Sequence, residues 1–166
     1  TYIQNSQNSQ VATNIGSSRI QSHELSMLGK RAGFTVRPSA TWLVTENRSE
    51  VSYQKGKALP LRTPFRFQAE VSYQLRFLEL SYGMGFYSET FSDLSNSRTL
   101  DSFWIHRAGV GVSTKDAGKF RLDAENLTNV LTLAGSQTGY LTTESFGVAG
   151  FPAPGRRIVF TWILEV

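Results

Sequence analysis

The chain has 166 residues, a length typical of one domain, and its 17 lysines and arginines outnumber its 13 aspartates and glutamates. It contains no cysteine, which excludes disulfides, thiolate nucleophiles and Cys-based zinc or iron–sulfur sites. The two histidines, His23 and His106, are far apart in the sequence, so we expect no metal, no other cofactor and no enzyme activity. Basic residues are scattered singly among acidic ones, which argues against a nucleic-acid partner.

Apolar and polar residues alternate along most of the chain, as in β-strands that have one apolar face. Between residues 34 and 45, Phe34, Val36 and Trp42 fall on one face, whereas Thr35 and Arg37 fall on the other. The same alternation runs through residues 65–74, 78–86, 106–113, 120–125 and 158–166. Since helix-favouring stretches are scarce, the sequence predicts an all-β fold with antiparallel strands.

One segment does not keep a single phase. Between Arg19 and Gly29, the apolar residues Ile20, Leu25 and Met27 fall on different faces of a regular strand. A β-bulge would explain this slip, because one extra residue reverses the alternation that follows it.

The predicted connections alternate between short and long. Short turns are predicted at residues 29–33, 74–76 and 115–118, and long polar loops at about 4–14, 47–62, 88–101 and 128–155. Phe34, Phe77 and Phe120 open the strands after the short turns and lie 43 residues apart each time, which indicates a hairpin repeat. Tight turns at one rim and long loops at the other are typical of an up-and-down transmembrane β-barrel.

The polar faces of these strands carry charges far from the strand ends. Such charges are tolerated beside a water-filled lumen and are costly in a dry core. The apolar faces begin and end with aromatic residues such as Phe34, Trp42, Phe65 and Trp162, as the interfacial girdles of membrane barrels do. The sequence therefore favours lipid against the apolar face, with a soluble sandwich or lipocalin-like barrel as the alternative.

Three stretches resemble the β-barrel domain of TonB-dependent outer-membrane receptors. They are residues 14–26, residues 123–129, which end in Asn-Leu-Thr-Asn, and residues 150–157, which read Gly-Phe-Pro-Ala-Pro-Gly-Arg-Arg before the last strand. The positions that match the family's motifs are Asn14, Gly16, Glu24, Asn126, Leu127, Pro152, Gly155 and Arg156.

The resemblance implies a 22-stranded barrel closed by a plug domain. About seven C-terminal strands fit between residues 15 and 166, with a stub of another strand at 1–4, so we expect residues 1–166 to be the C-terminal portion of such a barrel. The plug and the N-terminal strands are absent from this sequence. The implied partners are outer-membrane lipid, the protein's own plug, TonB through the missing N-terminal part, and a small-molecule or glycan ligand.

The implied function is uptake of a scarce nutrient across the bacterial outer membrane, with a ferric siderophore, cobalamin or a glycan as substrate. By position and residue type, we expect ligand contacts from the loop residues Tyr53, Lys55, Lys57, Tyr87, Phe91, Gln137 and Tyr140. The alternative function is that of a structural anchor or adhesin, formed by a small complete barrel of eight strands.

Other residues have predicted places in the barrel. Arg107, Arg121, Asp123 and Glu125 are expected to face the lumen and to form a charge ladder across neighbouring strands. Asn126, with Asn129, is expected to close the top of a strand by satisfying backbone groups. Gly109 and Gly111 lie in mid-strand, where a missing Cβ lets another group approach, and His106 falls on the lipid-facing phase near the outer interface.

Overall fold

The computed structural model describes residues 2–6, 9–13, 16–115, 117–130 and 155–164. The strands are β1 (Tyr2–Ser6), β2 (Ser9–Thr13), β3 (Ser18–Ser26), β4 (Gly29–Arg31), β5 (Phe34–Asn47), β6 (Phe65–Leu75), β7 (Leu78–Tyr87), β8 (Thr90–Phe91), β9 (Thr99–Leu100), β10 (Phe103–Thr114), β11 (Gly118–Glu125) and β12 (Arg157–Ile163). Among these residues there is no helix of the length and apolarity that a membrane crossing requires. The all-β prediction is confirmed.

One antiparallel sheet contains most of these strands. Its order is β12-β11-β10-β7-β6-β5-β3, and β4 pairs with β5 alongside β3. Counting β3 and β4 as one interrupted strand, this sheet has the seven strands that the sequence predicted. Strands β1 and β2 form a separate hairpin, as do β8 and β9. The prediction of a loop over residues 4–14 is therefore wrong in part. Strand β2 was not predicted because this segment is mostly polar and shows no apolar alternation.

The predicted bulge between Arg19 and Gly29 is also wrong. Ser26 pairs with Ser39 and Gly29 pairs with Val36, so the register passes through the gap without an extra residue. The interruption lies opposite Pro38, whose carbonyl accepts a hydrogen bond from the Met27 amide at 3.0 Å. Because proline has no N–H, Pro38 cannot donate a hydrogen bond to the strand opposite it. The ladder is therefore interrupted between β3 and β4, while the alternation of side chains between the two faces continues unchanged.

Short turns join the strands at one rim of the sheet. The turn between β4 and β5 has only two residues, Ala32 and Gly33, both with positive φ, as in the type I′ turns that favour hairpins. The turn between β6 and β7 consists of Arg76 and Phe77, and Arg76 also has a positive φ. Phe77 therefore lies in the turn, and Phe120 is the third residue of β11, so of the three predicted phenylalanines only Phe34 opens its strand.

The two faces of the sheet differ in chemistry. One face carries a row of residues in register across six strands, and we call it the apolar face: Val36, Val71, Tyr82, Ala108, Ala124 and Ile158. Side chains on this face are open, with Ile158 70% and Phe160 66% exposed. In the described ranges, no second protein layer covers them, and the buried apolar residues are Leu59, Tyr87 and Leu94. A soluble sandwich would bury this face against a second sheet, and the described residues contain no sheet that does so.

Aromatic rings border the apolar face at both ends. The loop-side belt consists of Trp42, Phe65, Phe86 and Trp104, whose successive ring centroids lie 5.4, 6.2 and 4.9 Å apart. The turn-side belt consists of Phe34, Tyr73, Phe120 and Trp162, with Phe34 4.4 Å from Tyr73 and Phe120 stacked on Trp162.

The spacing of the belts is close to that of the girdles of membrane barrels. Phe34 and Trp42 are eight residue steps apart along β5, about 27 Å of strand at about 3.4 Å per residue, and a strand tilt of about 35–45° reduces this to about 20 Å in height. The outward apolar band of membrane barrels is about 25 Å tall and lies between two aromatic girdles. His106 lies just inside the loop-side belt, where its Nδ1 is 2.7 Å from the Tyr82 hydroxyl. Its predicted place on the apolar face is confirmed, and its place near the outer membrane interface stays a prediction.

Spin labels can test the two faces at adjacent positions of β6, since residues 1–166 contain no cysteine. Any cysteine elsewhere in the full-length protein is first replaced by serine. In the full-length protein in lipid bilayers, a label at Val71→Cys should be more accessible to oxygen than to a water-soluble nickel complex. A label at Ser72→Cys, one residue along and on the other face, should show the opposite preference. Equal nickel accessibility at both positions would contradict a lipid-facing apolar side.

Candidate functional site

The polar face carries a row of alternating charges. Five charged residues lie in register on β5, β6, β10, β11 and β12, and we call this set the arginine row: Arg37, Glu70, Arg107, Glu125 and Arg157. Glu70 accepts hydrogen bonds from Arg37 at 3.0 Å and from Arg107 at 2.5 Å. Arg157 donates to Glu125 at 2.5 Å. The row therefore links strands that are not neighbours in the sheet.

A second cluster lies on the same face, nearer the short turns. We call it the turn-side network; it consists of Glu79, Lys119, Arg121 and Asp123. Glu79 accepts from Lys119 at 2.8 Å and from Arg121 at 2.7 Å, and Arg121 also donates to Asp123 at 2.7 Å. Arg107, Arg121 and Glu125 form cross-strand ion pairs, as the predicted ladder requires, whereas Asp123 pairs with Arg121 within β11. That these side chains face a lumen stays a prediction.

Glycines allow these long side chains to cross a strand. Arg107 on β10 reaches Glu70 on β6 by passing over Gly83 of β7, where an added Cβ would lie 2.8 Å from the Arg107 Cγ. Arg121 on β11 reaches Ser81 on β7 at 2.9 Å by passing over Gly109 of β10. A Cβ at Gly109 would lie 2.8 Å from the Ser81 Oγ. The prediction that mid-strand glycines admit a neighbouring side chain is thus confirmed at Gly109.

A concave groove of about 410 Å³ lies along the arginine row. Its lining includes all five charged residues of the row, together with Ser39, Gln68, Tyr87, Asn126 and Gly155. Histidine and carboxylate side chains do not gather into a metal-binding group of three or more anywhere in the described part of the chain. The groove therefore offers ionic and hydrogen-bonding contacts to a ligand.

Asn126 closes β11, as predicted. It has a positive φ and is 6% exposed, and its side-chain amide exchanges hydrogen bonds with the backbone of Val130 at 2.9 and 3.0 Å. The Leu127 amide donates to the His106 carbonyl at 2.9 Å, and Asn129 accepts from the Arg156 amide at 2.9 Å. This motif ties the end of β11 to β10 and to the segment that leads into β12.

The loops at the other rim hold each other in place. Asn47, which is fully buried, accepts a hydrogen bond from the Ser49 amide at 2.9 Å. Asn96 of the 88–102 loop exchanges hydrogen bonds with the backbone of Ala58 at 2.8 and 3.0 Å. The Leu61 amide donates to the Phe91 carbonyl at 2.7 Å. These bonds join the loop after β5 to the loop after β7.

Asp93 organises the tip of the second loop. Burial alone would raise the pKa of this carboxyl, but hydrogen bonds from Ser95 and from the Arg98 and Ser97 amides outweigh burial and hold its pKa well below the ordinary value. The Arg98 amide donates at 2.8 Å and the Ser97 amide at 3.0 Å. Since donors already surround this carboxylate, it serves the loop's own backbone.

The predicted ligand residues fall in different surroundings. Tyr53, Lys55 and Lys57 are exposed in the loop after β5, whereas Phe91 is half-buried in β8. Tyr87 is the last residue of β7 and is 4% exposed; its ring stacks on Phe103 at 4.7 Å. A ligand role for these residues stays a prediction.

Several predicted positions lie outside the described residues or show no shared site. Asn14, Gln137, Tyr140 and Pro152 are outside the described residues. Gly16 and Glu24 are exposed, the first just before β3 and the second within it. Sequence analysis missed Arg37, Arg157 and Gly83 as members of the row. The signal for them was their phase, which is the same as that of the charges already singled out on neighbouring strands.

Comparisons with known proteins bear on the fold. No family model and no curated protein matches the chain. Solved structures do match it, among them the siderophore receptor PiuA from Acinetobacter baumannii, at 16% identity and a TM-score of 0.69, over 86% of this chain and 21% of the receptor.

Two further receptors show the same relation. The ferric-catecholate import receptor Fiu from E. coli K12 matches at 18% identity and a TM-score of 0.65, over 86% of this chain and 20% of Fiu. The ferripyoverdine receptor of the Pseudomonas aeruginosa outer membrane matches at 12% identity and a TM-score of 0.62, over 86% and 19%. The chain has the fold of siderophore-receptor barrel strands. This confirms, for the fold, the resemblance to TonB-dependent receptors, and the chain spans about a fifth of each receptor's length.

A Gly83→Ala substitution should disrupt the arginine row. The added methyl would overlap the Arg107 side chain, so Arg107 must leave Glu70 or the strands must separate. We expect Gly83→Ala to be less stable than the control below by about 1 kcal/mol or less, measured as a lower unfolding temperature of the full-length protein in detergent. Gly111→Ala is the matched control, since its nearest neighbours would lie 3.5 Å or more away. Equal effects of the two substitutions would contradict the crossing role of Gly83.

An Asp93→Ala substitution should loosen the second loop. Because the folded-state pKa lies below the ordinary value of about 3.9, the stabilisation is present above that pH and is lost as pH falls through the lowered value. At pH 7, amide exchange at Ser97 and Arg98 should be about tenfold faster in the variant. Asp101→Ala, in the same loop, is the control and should leave these two amides unchanged.

Proposed function

We propose that this chain forms part of the barrel of an outer-membrane receptor that takes up a scarce nutrient. The observation that carries the proposal is a sheet with one apolar, aromatic-bordered face and one charged, grooved face. Lipid suits the first face, and a water-filled interior suits the second. The fold shared with siderophore receptors supports the same function.

In this proposal, residues 1–166 are the C-terminal portion of the barrel. A plug domain and further strands belong to the rest of the protein, and TonB supplies energy through the missing N-terminal part. The ligand binds to the loops and the plug, and displacement of the plug admits it to the periplasm without covalent chemistry. Exposed loop residues, above all Tyr53, Lys55 and Lys57, are the first candidates for ligand contact.

The edges of the sheet bear on the alternative, a complete barrel of eight strands acting as an anchor or adhesin. Such a barrel needs its last strand to pair with its first. Over the described residues, β3 and β12 are the two ends of the sheet, and β12 pairs with β11 alone. Unpaired backbone groups at these edges cannot be satisfied by lipid. Pairing with further barrel strands would satisfy them, which favours the receptor.

Growth on single nutrients tests the proposed function. A strain that lacks the gene should lose growth on one iron chelate, on cobalamin or on one glycan as the limiting nutrient, and the full-length gene should restore it. Growth with excess simple iron or carbon is the control for general defects. If no nutrient in the panel distinguishes the deletion strain from the complemented strain, the uptake function is wrong.

A further inference from the structure

Most of the buried side chains among the described residues lie in two loops. One is the loop after β5, residues 48–64, and the other is the loop after β7, residues 88–102. Leu59 and Thr63 of the first and Thr90 and Leu94 of the second are each at most 9% exposed. Side chains on the apolar face of the sheet, by contrast, are open. The two loops therefore bury their side chains more fully than the sheet that carries them.

Side-chain hydrogen bonds join these loops at both ends of the segment 58–62. Asn96 accepts a hydrogen bond from the Ala58 amide at 2.8 Å and donates to the Ala58 carbonyl at 3.0 Å. The Thr90 hydroxyl donates to the Arg62 carbonyl at 2.9 Å. A backbone hydrogen bond between the loops lies between these two links. The segment 58–62 of one loop is thus held against the other loop along its whole length.

The backbone at these links adopts a conformation that most residues avoid. Leu61 and Asn96 have positive φ angles of 57° and 56°. Asparagine tolerates this left-handed region, whereas leucine disfavours it. Strained backbone persists where surrounding contacts hold it, and the Leu61 amide is bonded to the Phe91 carbonyl at 2.7 Å. The contacts between the loops therefore determine the conformation of the segment 58–62.

Asn96 is itself fixed within its own loop. Its side-chain amide and its backbone amide both donate to the Asp93 carbonyl at 3.3 Å. In the other loop, the Lys57 carbonyl accepts a hydrogen bond from the Asn47 amide at 2.8 Å. The next residue, Ala58, is the one that Asn96 binds. Lys57 therefore lies between two fixed points of the backbone.

We propose that Asn96 is a positioning residue that holds the two loops together as one preformed unit. Through the backbone of the neighbouring loop, it fixes the exposed residues Tyr53, Lys55 and Lys57 before the ligand arrives. A surface formed in advance loses less conformational entropy on binding, which raises the affinity for the ligand. The inference rests on the proposed uptake function. It implies that these two loops do not open and close independently of each other.

Spin-label distances test whether the loops form one unit. Labels are placed at the exposed positions Ser52→Cys and Arg98→Cys of the full-length protein in lipid bilayers, with any other cysteine replaced by serine. Pulsed EPR should give one narrow distance distribution. Asn96→Gly removes the side-chain amide but accommodates the left-handed backbone, and it should broaden the distribution. Ser97→Ala is the matched control, because this hydroxyl binds Asp93 within the same loop, and it should leave the distribution narrow.

Uptake kinetics test the positioning role in cells that lack the native gene. The probes are radiolabelled ferric citrate, a ferric catecholate, cobalamin and maltodextrin, and kinetics are measured with the one that the native protein takes up. Asn96→Gly should raise KM by about threefold or more, with the maximal rate per receptor unchanged. Thr90→Val keeps the side-chain shape but loses the hydroxyl that binds the Arg62 carbonyl, and it should change KM in the same direction. Ser97→Ala should leave KM unchanged.

The maximal rate is divided by the outer-membrane abundance of each variant. A variant that only assembles poorly would lower abundance at an unchanged KM, whereas loss of positioning raises KM.

Two outcomes would overturn the inference while leaving the uptake function intact. One is a broad or two-peaked distance distribution in the native protein. The other is uptake with a KM that neither Asn96→Gly nor Thr90→Val changes. Uptake of none of the probes, together with a narrow distance distribution that Asn96→Gly broadens, would overturn the uptake function and support the loop unit.

Discussion

The main sheet is a single layer, and this constraint governs the rest of the structure. A layer without a core of its own is stabilised by whatever touches each face, so its two faces must suit two different surroundings. The apolar face leaves side chains such as Ile158 and Phe160 open, and contact of these side chains with an apolar surrounding would be favourable. The polar face holds ion pairs half open to water, where desolvation is limited. Strand alternation alone separates the two.

Glycines between the charged residues determine how the charges on the polar face can pair. Arg107 and Arg121 each cross a strand that has no Cβ at the crossing point, which is Gly83 for Arg107 and Gly109 for Arg121. Replacing Gly83 would leave Glu70 with fewer partners, and replacing Gly109 would do the same to Ser81, even though glycine itself is unfavourable in strands. The conformational cost of glycine in mid-strand is thus offset by the charge-assisted hydrogen bonds that Arg107 and Arg121 make across these glycines.

The sequence predicted the faces better than the contacts between strands. Strict alternation identified the strands from Phe34 onward and placed Arg107, Arg121, Asp123 and Glu125 on one face, because side-chain direction in a strand depends only on phase. It failed at Phe77, because alternation does not show where a turn ends and a strand begins. It also failed over residues 9–13, because the strand there is mostly polar and has no apolar alternation. The ion-pair partners depend on the register between strands. Alternation does not determine the register, because shifting a strand by two residues keeps every side chain on the same face.

Register in turn follows from the lengths of the short turns. The two-residue turn at Arg76 and Phe77 sets Leu75 opposite Leu78, and the same pairing carried along the hairpin sets Glu70 opposite Gly83. One more residue on a strand would move Gly83 to the other face and place a side chain under Arg107. The tight turns at one rim therefore determine which charges meet in the middle of the sheet. The long loops at the other rim are free of this constraint, since their length does not alter pairings already set, and their sequences can vary without disturbing the charged face.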